Sequence, residues 1–327
     1  MVWWRRRRDS NPRDPSGPTP LAGERLRPLG HVSADGFTGE CASGTTPENI
    51  SRQSFHIVAH RGLPHAATEQ QIEGRHDMKN LAVILAKRPV GVPTSDHFAL
   101  REIPLADPGA GEVLIRVSHW SIDPAMRGWA NDVPNYSPPV PIGDPMRSFG
   151  VGEVTASRHP GYAAGDVVHG MFGWQTHAMV DGDSIDRKLT ETDLPPSYAL
   201  GLLGLNGTTA YFGLRECCAA REGDTVVVST AAGAVGSAVG QIAGIMGCRT
   251  VGIAGGPVKA RQCLDEFGYD AAIDYRADDV GAALDAACPD GVDCYFDNTC
   301  GPISDAVMAR LAVGARITIC GTAAITD

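Results

Sequence analysis

The sequence predicts an α/β protein in which a small barrel-like β domain precedes a doubly wound parallel sheet. Two observations predict this. Short, glycine-separated strands fill the region from about residue 80 to 195, and strand and helix patterns alternate after it. The second half opens on DTVVVSTAAGAVGSAVG, residues 224–240, where a strand, a small-residue turn and a helix follow one another. A near-continuous valine strand is typical of a parallel sheet that is buried on both faces.

Length and composition agree with a soluble globular protein. The 327 residues are enough for two domains, with 43% hydrophobic and 20% charged residues. The formal net charge of -10 argues against an overall nucleic-acid binder. No apolar run reaches the roughly 18 residues that a membrane span needs. We therefore expect neither a nucleic-acid nor a membrane partner. The nine cysteines form no C-x-x-C pair, so we expect reduced thiols in a cytoplasmic protein.

Residues 1–77 differ in composition from the rest and predict a disordered or non-native leader. They contain the run Arg5 to Arg8, many prolines and no periodic apolar pattern. A basic run can also be a nuclear or nucleic-acid signal, which is the alternative for this segment. Ordered pattern begins at Met78, which we take as the expected native start.

Residues 78–195 predict the β domain. One strand is predicted near Phe98–Ile103 and, after the turn ADPGAGE, an alternating strand at Val113–Ser118. The stretches SFGVGEVTAS and GDVVHGMFGWQTHAMV predict further short strands. Turn signals at such short intervals, with few helical patterns, favour a small barrel.

Residues 196–327 predict the parallel sheet. Its five strands are expected at DTVVVST, RTVGIAG, AAIDY, VDCYFDN and ARITICG. The helices between them are expected at Val235–Met246, Val258–Phe267, Val280–Ala287 and Ile303–Leu311. In such a sheet a ligand binds at the carboxyl ends of the strands, near the point where the strand order reverses.

The turn after the first of these strands has the context of a dinucleotide site. Gly233 and Gly236 follow a strand and open a helix, whose N-terminus offers unpaired N–H groups to a pyrophosphate. The first position of the G-x-G-x-x-G pattern is Ala231 instead of glycine. Alanine is acceptable there if that residue does not need a positive φ.

The end of the second strand favours NADPH over NADH. NAD enzymes usually carry an acid there to hold the ribose 2′-OH, but Ala254, Gly255 and Gly256 offer none, and Lys259 and Arg261 follow. A cation without a competing carboxylate suits a 2′-phosphate. The sequence therefore predicts an NADPH site.

Several motifs in order resemble the medium-chain dehydrogenase/reductase superfamily. They are SIDPAMRGW, PPVPIGDPMRSFGVGEV, GLLGLNGTTAYFGL, the glycine turn with its second strand, YDAAIDYRADD and GVDCYFDNTCG, and they cover nearly all of residues 78–327. Within the superfamily the chain is similar to the zinc-free leukotriene B4 12-hydroxydehydrogenase / prostaglandin reductase branch of NADPH-dependent alkenal and double-bond reductases. The resemblance implies a GroES-like β domain followed by a Rossmann domain.

The resemblance also implies residue roles. Lys259 and Tyr275 flank the adenosine 2′-phosphate, Thr209 lies beside the nicotinamide and Asn298 lies near the nicotinamide ribose. The expected cofactor-binding set is Thr209, Gly233, Ala234, Val235, Gly236, Gly255, Lys259, Tyr275 and Asn298.

No catalytic metal is expected. Zinc alcohol dehydrogenases place a cysteine where this chain has SIDPAM, and a G-H-E segment where it has IGDPMRSFGVGE. Without a Lewis acid, hydride addition to a conjugated C=C bond is the favoured reaction, with α,β-unsaturated ketones or aldehydes as substrates. Tyr136 is the candidate catalytic phenol, and Met126, Arg127 and Trp129 are expected to line the pocket.

The end of the chain adds an expectation and two alternatives. By resemblance, a full-length member continues for several tens of residues, so we expect a Rossmann domain that is incomplete at its C-terminus and a weakened activity. Full-length relatives are expected to be homodimers and this chain a monomer. The alternatives to an active enone reductase are a catalytically impaired NADPH-binding fragment and a quinone reductase of the same superfamily.

Overall fold

A computed structural model describes residues 79–133 and 137–324. The first part of the described chain is made of strands, with one short helix. Its elements are β1 (Lys79–Leu85), β2 (Phe98–Pro104), β3 (Glu112–Trp120), α1 (Ala125–Trp129), β4 (Phe149–Ser157), β5 (Val167–Met171), β6 (His177–Asp181) and β7 (Ile185–Lys188).

Strands β3 to β7 form one antiparallel sheet in the order β6-β3-β4-β5-β7. β1 and β2 form an antiparallel pair that is joined to the rest by isolated bridges from Ala82 to Gln175 and from Ile84 to Pro145. Alternate residues of β3, Val113, Ile115 and Val117, point into one buried cluster with residues of β4 to β7. This arrangement confirms the predicted β domain.

Two half-buried histidines in this sheet make its stability depend on pH. Burial lowers the pKa of both His169 and His177. At His177 the cation Arg116 lowers the pKa further. At His169 Arg187 also lowers the pKa, whereas the Asp186 carboxylate opposes the shift. A histidine's ordinary pKa is about 6.5. Above that pH both the folded and the unfolded chain hold these rings neutral, whereas below it the unfolded chain binds protons that the folded chain does not.

The free energy of unfolding is therefore expected to fall as the pH drops from about 6.5 towards 5. His169→Gln is expected to flatten this slope in urea unfolding curves measured at several pH values. An unaltered slope in the His169→Gln protein would contradict the assignment.

The second part of the chain alternates helices and parallel strands. Its elements are α2 (Leu205–Phe212), β8 (Thr225–Ser229), α3 (Ala234–Ile245), β9 (Arg249–Ala254), α4 (Pro257–Asp265), β10 (Ala271–Asp274), α5 (Val280–Ala287), β11 (Val292–Asp297), α6 (Gly301–Met308) and β12 (Leu311–Ile319). A π-helical turn, Gly213–Cys217, continues α2.

All five strands of this sheet are parallel, in the order β10-β9-β8-β11-β12. Strand order reverses between β8 and β11, and in sheets of this kind a ligand binds in the crevice at the carboxyl ends of such strands. Helices cover both faces: Val226 and Val228 of β8 pack in a cluster with α3 and α4, and Val227 packs in a second cluster with α5 and α6. The predicted doubly wound sheet is confirmed.

One of the boundaries that differ from the prediction lies between the last helix and the last strand. The last helix was expected at Ile303–Leu311, but α6 ends at Met308, and Leu311 already pairs with Val292 as the first residue of β12. The apolar residues of this segment fit a helix by periodicity alone, and only the pairing with β11 shows where the strand begins. Within the described ranges, no helix has the length and apolar character needed to cross a membrane.

Candidate cofactor site

The turn between β8 and α3 is open at the point where a pyrophosphate would bind. Gly233 caps α3 in an extended conformation and has no side chain to occupy the first N–H groups of the helix. Of the first helical residues, Ala234 is exposed and Val235 half-buried. Unpaired N–H groups and the positive end of the helix dipole therefore face the solvent side of this turn.

Ala231 is compatible with the turn because the strained residue is its neighbour. Thr230 has a φ of +53°, whereas Ala231 is absent from the residues with positive φ. Ala231 is fully buried and its N–H donates to the Ile253 carbonyl of β9 at 3.0 Å. A β-branched residue at positive φ is unusual and costly. The missing first glycine is thus explained: its position needs no left-handed backbone.

Close packing fixes this turn against the sheet. A Cβ on Gly236 would lie 2.3 Å from the Thr230 carbonyl oxygen and 2.8 Å from the Ala231 Cα. The buried Tyr269 hydroxyl donates to the Gly236 carbonyl at 2.7 Å, and its ring fills the space that a side chain at Gly240 would need. The turn therefore depends on Gly236 and on a tyrosine that sequence reasoning did not single out.

The β9–α4 turn is the second wall of the site and carries no acid at the end of β9. Ala254 ends the strand, and Gly256 adopts a φ of +94°. The Gly256 N–H donates to the carboxylate of Asp274, which ends β10, at 2.7 Å. A Cβ on Gly255 would lie 2.7 Å from the Tyr275 hydroxyl. Gly255 and Tyr275 are therefore brought into contact, as expected for two parts of one site.

A second cation follows Tyr275. The Arg276 guanidinium lies over the Tyr275 ring, 5.9 Å from the ring centroid. The backbone N–H of Arg276 donates to the Asp274 carboxylate at 3.0 Å. Lys259 is exposed in the first turn of α4, across the same β9–α4 turn. Sequence reasoning missed Arg276, although a basic residue directly after Tyr275 was the available signal.

A buried polar network lies at the carboxyl ends of β8 and β11, where the strand order reverses. The Asn298 side-chain amide donates to the Ser229 carbonyl at 2.7 Å, and its backbone N–H donates to the Ser229 hydroxyl at 2.8 Å. Asp297 is 2% exposed and accepts from the Ser304 hydroxyl and the Thr299 and Cys300 N–H groups. Burial alone would raise the pKa of Asp297, but these donors lower it overall. Asn298 is thus held rigidly between β8 and β11.

Thr209 lies half-buried on α2, which packs against α3. The role of Thr209 beside a nicotinamide stays a prediction. The roles of the other residues in the expected set stay predictions as well.

In the β domain, the segments SIDPAM and IGDPMRSFGVGE lie in contact with each other. The Ser121 and Ser148 hydroxyl oxygens are 3.3 Å apart, Ser121 donates to Asp123 at 2.5 Å, and the Trp174 indole N–H donates to the Ser121 carbonyl at 3.1 Å. Hydroxyls are not the thiolate or imidazole ligands that zinc sites use. Within residues 79–133 and 137–324, no three His, Cys, Asp or Glu side chains are grouped to hold a metal ion.

An apolar cleft of about 460 Å³ opens next to these serines. Met126 and Arg127 line it as expected, but Trp129 does not: it is 5% exposed and packs in the core of the domain with Leu85 and Val140. Arg127 and Trp129 point in different directions because they are two positions apart on α1, whereas Met126 lines the cleft and also packs in the same core cluster as Trp129. The candidate catalytic Tyr136 lies outside the described residues.

Comparison with known proteins agrees with the fold. A family described as the N-terminal domain of oxidoreductase matches residues 82–187, and one described as zinc-binding dehydrogenase matches residues 234–327. These matches define a dehydrogenase/reductase-type oxidoreductase with two domains.

Individual relatives narrow this class. The chain is 44% identical to the NADPH-dependent curcumin reductase of Escherichia coli K12, over 76% of this chain and 72% of the relative. It is 35% identical to the NADP(+)-dependent 2-alkenal reductase of Nicotiana tabacum, over 75% and 73%. The crystal structure of CurA from Vibrio vulnificus in complex with NADPH superimposes with a TM-score of 0.70 at 43% identity, over 75% and 72%. The chain belongs to the zinc-free alkenal and double-bond reductase branch of the medium-chain dehydrogenase/reductase superfamily.

Proposed function

We propose that this protein is an NADPH-dependent oxidoreductase that reduces the C=C bond of α,β-unsaturated ketones and aldehydes. The observation that carries the proposal is the nucleotide crevice: an open α3 N-terminus beside a β9 end that has no acid and has Lys259 and Arg276 nearby. The relatives named above include an NADPH-dependent curcumin reductase and an NADP(+)-dependent 2-alkenal reductase, which supports the same cofactor and class of reaction here.

Each part of the crevice has a role in holding the cofactor. The first N–H groups of α3 bind the pyrophosphate, and Gly233 and Gly236 allow it to approach the backbone. Lys259 and Arg276 neutralise the 2′-phosphate, and the Tyr275 ring packs beside it. Asn298 faces the ribose at the strand-order reversal. NADPH, when bound, supplies the hydride that adds to the β-carbon of the enone.

The apolar cleft of the β domain holds the body of the substrate. Phe98, Met126, Met146 and Trp174 form its walls, and the exposed Ile122 lies at its rim. Such walls exclude water from a conjugated carbonyl compound, which favours the hydrogen bonds that stabilise the developing enolate oxygen. The Tyr136 phenol is the proposed donor to that oxygen.

The proposed function is tested by NADPH titration followed by turnover. Quenching of tryptophan fluorescence should report NADPH binding, and a short-chain alkenal should then be reduced with consumption of NADPH in preference to NADH. Reduction of a benzoquinone without reduction of the alkenal would indicate a quinone reductase. NADPH binding with neither turnover would indicate a catalytically impaired protein.

Ile122→Trp is expected to raise the KM for the enone several-fold, because a larger ring at the rim fills the cleft, and to leave NADPH affinity unchanged. Ile122 is 85% exposed, so the substitution should not unfold the protein. Leu100→Trp, at a residue of β2 that is 61% exposed and does not line the cleft, is the matched control. Equal effects of the two substitutions on KM would contradict the placement of the substrate.

A further inference from the structure

One buried carboxylate joins three elements at the carboxyl end of the parallel sheet. Asp297, the last residue of β11, is 2% exposed. Its Oδ1 accepts from the Ser229 hydroxyl of β8 at 3.2 Å and from the Thr299 and Cys300 N–H groups at 2.9 Å. Its Oδ2 accepts from the Ser304 hydroxyl of α6 at 2.6 Å. A single side chain thus connects β8, β11 and α6 at the strand-order reversal.

This carboxylate is charged although it is buried. Burial raises the pKa of Asp297, but the Ser304 hydroxyl and the two backbone N–H groups lower it overall. Each donor would be left without a partner in a buried place if the carboxylate moved away. The network therefore resists displacement of any one of its members.

The Ser229 hydroxyl connects Asp297 to Asn298. A hydroxyl carries one proton, and the Asp297 carboxylate can only accept it. The Ser229 oxygen is therefore left to accept from the Asn298 backbone N–H, at 2.8 Å. Ser229 is fully buried, so bulk water does not compete for either hydrogen bond. The carboxylate thus fixes the direction of both bonds.

The orientation of the Asn298 amide follows from a second contact with Ser229. The Ser229 backbone carbonyl is only an acceptor, so the amide group that faces it at 2.7 Å is the nitrogen. Among residues 79–133 and 137–324, none donates a hydrogen bond to the Asn298 Oδ1. Asn298 is half-buried, whereas Asp297 and Thr299 on either side of it are buried. An unpaired acceptor is therefore available where ligands of such sheets bind.

We propose that Asp297 is a positioning residue for NADPH, because through Ser229 it holds the Asn298 amide oxygen where a ribose hydroxyl of the nicotinamide half can donate to it. The sheet order β10-β9-β8-β11 places Lys259 and Arg276, beside β9 and β10, on one side of β8 and Asn298 on the other. A dinucleotide whose 2′-phosphate lies at the two cations extends its other half towards β11. This role rests on the proposed function.

Ser229→Ala and Thr250→Val form a matched pair for fluorescence titration with NADPH. The fully buried Thr250 hydroxyl also donates to an aspartate, Asp270, at 3.0 Å and accepts from a backbone N–H at 3.1 Å, but at the amino end of β9. We expect Ser229→Ala to raise the Kd for NADPH roughly 3- to 10-fold, as the loss of about one hydrogen bond implies. Thr250→Val should leave the Kd unchanged while lowering the Tm to a similar extent. Equal changes of Kd in the two variants would overturn the positioning role.

Substitutions at Asp297 and Asn298 separate positioning from packing. Asp297→Asn keeps an acceptor for Ser229 and should bind NADPH within about 3-fold of the wild type, whereas Asp297→Ala should lose roughly 10-fold or more. If Asp297→Ala does not fold, the double variant of Ser229→Ala with Asn298→Ala provides the same information. Because Ser229 acts through Asn298, that double variant should bind NADPH as tightly as Asn298→Ala alone. Additive losses of affinity would contradict the positioning role.

Failure of this role and failure of the proposed function give different results. A wild-type chain that does not bind NADPH contradicts the proposed function and, with it, the cofactor contact of Asn298. Hydrogen exchange without nucleotide then still measures the network, because Ser229→Ala should speed exchange of the Asn298 N–H relative to the wild type. A wild-type chain that binds NADPH, with Ser229→Ala binding it equally well, overturns the positioning role alone.

Discussion

Gly236→Ala is expected to abolish measurable NADPH binding, whereas Gly244→Ala on the same helix should leave it unchanged. The added Cβ at position 236 would lie 2.3 Å from the Thr230 carbonyl oxygen, and neither that oxygen nor the Ala231 Cα belongs to a flexible side chain. The N-terminus of α3 must therefore move away from the turn, and the N–H groups that bind the pyrophosphate move with it.

Gly244 offers a matched control because a Cβ there meets nothing within 4 Å. Alanine in an open helical position stabilises by roughly 0.5–1 kcal/mol relative to glycine. Fluorescence titration with NADPH and thermal unfolding of both variants separate a displaced turn from a general loss of stability. A Gly236→Ala protein that binds NADPH like the wild type would refute the assignment of this turn.

Lys259→Ala and Arg276→Ala are each expected to lower kcat/KM for NADPH about 10- to 100-fold and to leave kcat/KM for NADH unchanged. A hydrogen bond to a charged group contributes about 1.5–3 kcal/mol, and only NADPH carries the 2′-phosphate that makes it. The measurement is the ratio of the two kcat/KM values, which a loss of folded protein would not change.

Arg261→Ala is the control for this pair of substitutions. Arg261 follows Lys259 by two positions on α4 and faces a shallow cleft with Asp265 and Glu266, on a different side of the helix. Its removal should change neither cofactor's kcat/KM. If Lys259→Ala lowered the values for NADPH and NADH equally, the lysine would not be a 2′-phosphate ligand.

Much of the site was predictable because it depends on local order in the chain. A strand, a turn with Gly233 and Gly236 and a helix are adjacent in sequence, so their context can be read without tertiary structure. The missing acid at Ala254 is also a local observation, and it predicted the cofactor that the relatives use. By contrast, the structure leaves the predicted domain boundaries and the roles of individual residues as predictions.

Contacts between distant segments were not predictable in the same way. Arg276 joins the β9–α4 turn only because β10 lies beside β9 in the sheet. Ser121 meets Ser148 across the start of β4, and Trp129, expected at a pocket, is turned into the core by α1. Each depends on strand pairing or on helix orientation, and the sequence pattern constrains neither closely.

The sequence by itself determined the two kinds of sheet, the nucleotide turn and the choice of NADPH, since hydrophobic period, glycine placement and the absence of an acid are properties of short segments. Tertiary structure decided which residue carries the backbone strain at the turn and which cation lies over the Tyr275 ring. Thr230 and Arg276 owe their positions to packing between elements, and packing is settled only when the sheet is assembled.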